Sequence, residues 1–253
     1  EGDARGAKHS ISRKLRSFNS ISLLAFTTLT SAPDMVLPLV RSGRVDSWMK
    51  GWTKYMSDPD YRQATRNVGT AIENMLHERL VHMAGEGNQR FANSFFNLIG
   101  LTSWTNIMRE ISTSVGFEAF KTMQQKAIRA RMNGRVDQTA ERFMRRYGLT
   151  GENAPVDYLA EGAQRLSDLR VFQNDPSVRY GLHRFVNETI FTPNPNDIPL
   201  FGQTPFGALV WQLKSFPMMM ARLSKYTLKE AAQGNVKPIM YLLAMGPAFG
   251  YGA

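Results

Sequence analysis

The 253-residue chain contains no cysteine. Disulfide frameworks, thiolate metal sites and thiol nucleophiles are therefore excluded, because each of them requires the sulfur atom of cysteine. The absence does not identify a compartment. A chain without cysteine is equally compatible with a reducing cell, a periplasm and a virus particle.

Sequence motifs of catalysis are also missing. The chain has no Gly-x-Ser-x-Gly, no P-loop and no Rossmann fingerprint, and its 21 acidic residues form no pair that suggests acid and base chemistry. His77 and His82 come nearest to a metalloprotease motif, but they are five residues apart and so about 140° apart around a helix. We therefore expect no enzyme activity, no metal site and no cofactor. The least favoured alternative is an enzyme whose cleft gathers both histidines with carboxylates.

Alternating strand patterns are nearly absent, whereas helical spacing is frequent. Residues 60–154 contain no proline, and apolar residues recur there at intervals of three and four. Asp58 and Pro59 supply a cap residue and a first-turn proline for a helix whose apolar stripe begins with Ala64 and Val68. The sequence therefore predicts an all-α fold.

The same signals predict four more helices after this one. Gly148 stands where a C-terminal cap is expected, and Gly116 is a candidate break within the longest helix. The spacing of Leu159, Leu166 and Leu169 predicts helix after a proline. The first two of these helices are predicted from about Phe91 to Met132 and from Arg135 to Tyr147. The other two begin after Pro155 and at Asp175 and Pro176. The predicted inward residues of the longest helix include Met108, Ile111, Val115 and Met123.

Proline and charge divide the chain into four segments. Residues 1–57 form a basic N-terminal segment with an apolar linker, and residues 58–191 form a helical domain. Residues 192–205 include four prolines, which favour an extended connecting arm. Residues 206–253 form apolar C-terminal helices. We expect a multi-helix extended or bundle-like assembly with a proline-rich arm, and we interpret the chain as a piece of a longer protein that is cut within its last helices.

Positive charge is concentrated in one part of the chain. Lys and Arg number 31 against 21 Asp and Glu, and eight of these cations but only two acids lie between residues 121 and 146, so this stretch supplies six of the ten net charges. Such a cluster can neutralise phosphates with a salt-dependent affinity that ignores base sequence. A solvated helix face or an acidic partner explains the cluster equally well. The candidate contacts to nucleic acid or to an acidic partner are Lys121, Lys126, Arg129, Arg131, Arg135, Arg142, Arg145 and Arg146.

The segment from Phe206 to Leu223 is apolar on nearly every side. A helix of this kind is buried within its own domain, in another subunit or in lipid, and methionine adapts to any of these surroundings. Pro217 is expected to bend the helix, which we predict from Phe206 to Gln233. The candidate contacts to a subunit or a membrane are Phe206, Leu209, Trp211, Phe216, Met218, Met219 and Met220, with an internal core helix as the alternative.

Four short stretches of the chain resemble a known family. They are Leu101 to Arg109, Asn196 to Gly202, Trp211 to Pro217 and Lys237 to Leu243. These stretches resemble the helical region near the ends of the large internal virion proteins of short-tailed, podovirus-type bacteriophages. The similarity covers about residues 91–245.

The resemblance implies a structural component of a phage DNA-ejection apparatus. Proteins of this family lie in the capsid core, leave before the genome and assemble in the host cell envelope as an oligomeric conduit for DNA. The implied partners are other ejection or core proteins, further copies of the chain, double-stranded DNA and the host membrane. Any transglycosylase or polymerase activity would lie outside this segment. The alternative function is a membrane-inserting or pore-forming helical protein without nucleic-acid contact.

Overall fold

The computed structural model describes residues 35–69, 101–190 and 220–250. All regular structure in these three ranges is helical, and none of their residues forms a strand. The predicted all-α fold class is therefore confirmed. The proline-rich arm at 192–205 lies outside the described residues, as do most of residues 1–57.

We label the helices in chain order. They are α1 (Leu37–Ser42), α2 (Val45–Ser57), α3 (59–69), α4 (Leu101–Met132), α5 (Gln138–Arg146), α6 (Leu169–Phe172), α7 (Pro176–Thr189), α8 (220–232) and α9 (Lys237–Gly250).

Helix α4 is the central element, because α2, α5 and α7 all pack against it. Four of its predicted inward residues, Met108, Ile111, Val115 and Met123, are buried, with exposures of 0 to 5 %. Gly116 does not break the helix. A Cβ atom at this position would lie 2.8 Å from Cδ1 of Phe185, so the glycine allows α7 to approach α4 closely.

An aromatic cluster joins α4, α5 and α7. The rings of Phe120, Phe143, Tyr147 and Phe185 form five pairs with centroids 5.0 to 6.2 Å apart. Aromatic pairs at these separations add to the stabilisation that comes from burying their area. The cluster fixes α5 against α7, and with it the basic end of α5.

Two of the predicted helix starts are confirmed in detail. The Asp58 carboxylate accepts hydrogen bonds from the backbone N–H groups of residues 60 and 61 at 3.0 Å, and Asp175 caps α7 in the same way at 2.9 Å. Ala64 and Val68 are buried as the stripe predicts. The later part of that stripe lies outside the described residues. Helix α5 begins at Gln138 behind its cap Asp137, three residues after the predicted start.

The predicted helix after Pro155 is wrong. Residues 151–168 form turns and irregular backbone, and only Leu169–Phe172 is helical. Leu159 and Leu166 are buried all the same. The side chain of Gln124 in α4 supplies the hydrogen bonds that a helix would otherwise make: its amide group donates to the carbonyl oxygens of Tyr158 and Gln164 at 2.9 and 3.0 Å and accepts from the N–H of Leu166 at 2.7 Å.

The predicted boundary at residue 57 separates helices that the structure packs together. Helix α2 has its most extensive packing with α4, on the far side of that boundary. A Cβ atom at Gly51 would lie 2.7 Å from Cα of Val115, so the two backbones touch at this glycine. Helix α2 is therefore part of the helical body and not of a linker.

Replacing Gly51 with alanine is expected to destabilise the protein by about 1–3 kcal/mol, because the new methyl group meets backbone atoms that cannot rotate away. The matched control is Gly69→Ala. Gly69 is also helical, but a Cβ atom added there would meet no atom of the described residues within 4 Å, so alanine is expected to be neutral or to stabilise by up to about 1 kcal/mol. Urea denaturation of both variants measures the difference. Equal stabilities of the two variants would contradict the close approach.

The C-terminal helices pack back onto α1. Leu223 of α8 is buried with Leu37 and Val40, and α9 contacts α1 as well. Helix α8 ends at residue 232, as predicted within one residue, while the predicted bend at Pro217 lies outside the described residues. In the described ranges, no helix has the length and apolar character that crossing a membrane requires.

Candidate nucleic-acid interface

A cleft of about 420 Å³ opens between the basic end of α5 and the C-terminal helix α8. Its walls carry six cationic side chains and the carboxylate of Glu230, and Glu188 binds three of the cations from α7. Six cations against two carboxylates leave an excess of four positive charges. The cations are Arg41 from α1, Arg142, Arg145 and Arg146 from α5, Arg184 from α7 and Lys229 from α8.

The Glu188 carboxylate is the hub of this cleft. Arg146 donates to its Oε2 through Nε at 3.1 Å and Nη2 at 2.9 Å. Arg184 reaches Oε1 at 3.4 Å from one helical turn away, and Arg41 lies 3.6 Å from Oε2. The hydroxyl group of Tyr147 also donates to Oε2, at 3.2 Å. One carboxylate thus holds three guanidinium groups together, which would otherwise repel one another.

Tyr226 of α8 positions two of these guanidinium groups. The Cζ atoms of Arg41 and Arg146 lie 4.3 and 4.4 Å from the centre of its ring, which is the range of cation–π contacts. Its hydroxyl group donates to the backbone oxygen of Arg41 at 3.1 Å. Burial and the nearby Glu230 raise the pKa of Tyr226 to about 12, so this donor keeps its proton at neutral pH.

The charges and protons of the hub are also fixed. Burial, and after it the Glu188 carboxylate, raises the pKa of Tyr147 well above its ordinary value. Burial alone would lower the pKa of Arg146, but Tyr147 and Glu188 outweigh burial and the pKa is raised. At neutral pH Tyr147 is therefore neutral and Arg146 is charged.

Arg142 connects the two walls of the cleft. Its Nε donates to the backbone oxygen of Gln138 at 3.2 Å, within α5. Its two terminal nitrogens donate to the side-chain and backbone oxygens of Gln233, which follows α8. Arg142 thus spans from α5 to the end of α8.

The eight predicted cations do not form one surface. Arg142, Arg145 and Arg146 line the cleft, and three others bind within the chain. Lys121 donates to the backbone oxygen of Ser167 at 2.8 Å. Lys126 pairs with Asp137 at 3.6 Å, and Arg131 pairs with Glu141 at 2.7 Å. Arg129 and Arg135 are exposed and make no side-chain hydrogen bond or ion pair with the described residues.

Sequence reasoning missed half of the cleft. Arg41, Arg184 and Lys229 lie far from residues 121–146 along the chain, and only the fold brings them to α5. The one sequence signal for the hub is the spacing of Arg184 and Glu188, four residues apart on a predicted helix.

Of the predicted subunit or membrane contacts, only Met220 lies within the described residues. It is half-buried and packs against the cluster of Leu37, Val40 and Leu223, which corresponds to the internal-core alternative. The positions outside the described residues are Phe206, Leu209, Trp211, Phe216, Met218 and Met219.

The described part of the chain contains no group of three or more His, Asp or Glu side chains that could hold a metal ion. His77 and His82 lie outside it. Among the described residues, this arginine cleft gathers six cationic side chains in one place. Comparison of the chain with models of known protein families, with curated proteins and with solved structures gives no significant match.

Proposed function

We propose that this chain is a helical structural component of a phage DNA-ejection apparatus that contacts the DNA backbone through its arginine cleft. The observation that carries the DNA contact is the excess of four positive charges at one open cleft, gathered from α1, α5, α7 and α8. Cations gathered in this way neutralise phosphates and release counterions. The role is one of binding and structure.

The cleft favours recognition of phosphate over recognition of bases. Its two aromatic residues are Phe143 and Tyr226. Phe143 packs into the aromatic cluster, and the ring of Tyr226 already holds two guanidinium groups. A site without a free aromatic face lacks the stacking platform on which single-stranded bases bind. We therefore expect DNA binding that is independent of sequence.

Support for the phage apparatus comes from the family resemblance and from the fold class. Two of the four similar stretches lie in described helices: Leu101 to Arg109 begins α4, and Lys237 to Leu243 begins α9. An all-α chain without cysteine folds through mostly local contacts and needs no oxidant, which suits a protein that changes compartment. Oligomeric assembly and the host envelope belong to the same proposal.

The DNA contact is tested by neutralising Arg145 and Lys229 together as glutamine. Both side chains line the cleft and are exposed, and neither forms a hydrogen bond or an ion pair with the described residues, so the fold is expected to persist. Fluorescence anisotropy with random-sequence duplex DNA gives the affinity at several salt concentrations. Loss of two phosphate contacts is expected to lower the slope of log affinity against log salt by about 2.

The matched control neutralises Lys50 and Arg165, which are exposed and lie outside the cleft. It removes the same net charge and is expected to leave the slope unchanged. The proposed DNA contact is refuted by absence of binding at low salt, or by equal slopes for the cleft pair and the control pair.

The membrane alternative is separated by flotation with vesicles of phosphatidylcholine and phosphatidylglycerol. We expect the chain by itself to stay in the aqueous fraction, since the proposed contact is made by a charged cleft that suits phosphate groups. Flotation with the vesicles would favour the alternative.

A further inference from the structure

The cleft has two walls that come from distant parts of the chain. The body wall carries arginines from α1, α5 and α7. The other wall belongs to α8 and the residues that directly follow it, and it carries Tyr226, Lys229, Glu230 and Gln233. We call α8 and α9 together the C-terminal helix pair. A ligand that fills the cleft would therefore contact both walls.

Several donors in the cleft are not used within the described chain. Arg146 binds Glu188 through Nε and Nη2, which leaves Nη1 without an acceptor among the described residues. Arg145 and Lys229 have no side-chain hydrogen bond or ion pair there either. The unused donors belong to a cleft in which positive charges outnumber negative ones. The ligand that suits them is therefore an anion with many acceptor oxygens.

The size of the cleft indicates more than one anionic group. A volume of about 420 Å³ lies in the range of pockets that hold small-molecule ligands and exceeds what one phosphate group needs. Arginine binds phosphate oxygens through two N–H groups at a time, and five of the six cations here are arginines.

The arginines are also held in place before a ligand arrives. Arg146 has its guanidinium group fixed by Glu188 along one edge and by the Tyr226 ring. Arg142 is fixed by Gln138 and Gln233. Side chains that are already ordered lose less conformational entropy when a ligand binds, so binding is tighter.

We propose that the cleft is a discrete binding site for a short run of two or three linked phosphate groups, completed by the docking of the C-terminal helix pair. The inference deepens the proposed function, on which it rests where the phosphates belong to DNA. Tyr226 is a positioning residue of this site, since it orders two of the arginines and ties α8 to α1.

Two sources supply linked phosphates, namely the DNA backbone and a free polyphosphate. The experiment uses inorganic tripolyphosphate as the probe and the full chain as the protein, with binding measured by isothermal titration calorimetry. We expect saturable binding of one tripolyphosphate per chain. Replacing Arg145 and Lys229 with glutamine is expected to lower the affinity for tripolyphosphate on the order of tenfold or more. Replacing the control pair Lys50 and Arg165 is expected to lower it less than about twofold.

Tyr226 gives a second, independent readout. Tyr226→Phe keeps the ring under both guanidinium groups, so we expect the affinity for tripolyphosphate to stay within about twofold. Tyr226→Leu removes the cation–π contacts, so we expect the affinity to fall on the order of fivefold. Tripolyphosphate is also expected to raise the thermal midpoint of the original chain and not that of the Arg145 and Lys229 pair. The inference is overturned if binding of tripolyphosphate does not saturate, or if the control variant loses as much affinity as the Arg145 and Lys229 variant.

Competition with duplex DNA distinguishes this inference from the proposed function. Tripolyphosphate that binds and displaces DNA supports both. Tripolyphosphate that binds to a chain with no affinity for DNA supports the site and refutes the DNA contact. DNA binding that persists while tripolyphosphate occupies the cleft supports the site and moves the DNA contact to another surface. DNA binding by a chain that does not bind tripolyphosphate overturns the site.

Discussion

Replacing Gln124 with alanine is expected to destabilise the protein by about 3–5 kcal/mol. The residue is fully buried and makes three hydrogen bonds to the backbone of residues 158–166. Alanine leaves two carbonyl groups and one N–H group without partners and opens a cavity. Urea denaturation gives the change in the free energy of unfolding.

The next residue provides the control. Gln125 is exposed on the same helix, so Gln125→Ala is expected to change stability by no more than about 0.5 kcal/mol. Hydrogen exchange adds a local readout, because the N–H of Leu166 should lose its protection in Gln124→Ala before the rest of the core does. Two variants of equal stability would show that the segment 151–168 does not depend on this side chain.

Replacing Glu188 with glutamine is expected to destabilise the protein by about 2–4 kcal/mol, less than for a fully buried ion pair because the hub is partly exposed. The substitution keeps the size of the side chain but leaves three guanidinium groups near one another without their shared anion. The loss of the carboxylate is expected to cost most at Arg41, since its side chain is only 8 % exposed and water compensates its charge least. Thermal and urea denaturation measure the loss.

Salt provides a further check on this second variant. The repulsion among the unpaired arginines is screened by salt, so Glu188→Gln should regain part of its lost stability as the salt concentration rises. Glu161→Gln serves as the control, because Glu161 is exposed and has no ion pair among the described residues. If both glutamine variants are equally stable at low salt, Glu188 is not the hub of the cleft.

Local signals predicted the helices that have local causes. The caps Asp58 and Asp175 act within three residues of themselves, and their helices begin where the sequence places them. Apolar spacing identified Met108, Ile111, Val115 and Met123 of α4 as buried, since apolar residues at helical spacing favour burial. Such features need no knowledge of distant residues. The spacing did not reveal that residues 110–120 are buried on every side, polar ones such as Thr113 included.

Signals of the same type failed where distant residues decide the structure. The spacing of Leu159 and Leu166 is helical, and both residues are buried, yet the segment is irregular. Gln124, which is more than thirty positions earlier, satisfies the backbone groups of this segment. Hydrogen bonds to a distant side chain take the place of the backbone hydrogen bonds of a helix, and the local spacing of apolar residues does not indicate this.

The candidate site divides in the same way. Charge counting found the basic end of α5, because charge is a property of composition. It also selected Lys121, Lys126 and Arg131, which bind within the chain, since counting does not reveal which cations have partners. The missing wall of the cleft comes from α8.

By itself, the sequence determined the all-α class, the capped helix starts, four buried apolar positions of α4 and the excess of positive charge. Each depends on residues that are neighbours along the chain or on composition alone. The tertiary structure decided which cations meet. Arg41, Arg146 and Arg184 lie up to 143 residues apart and share one carboxylate only because α1, α5 and α7 pack around it. The cleft is a product of that packing, since contact between distant segments is the one property that a local pattern does not carry.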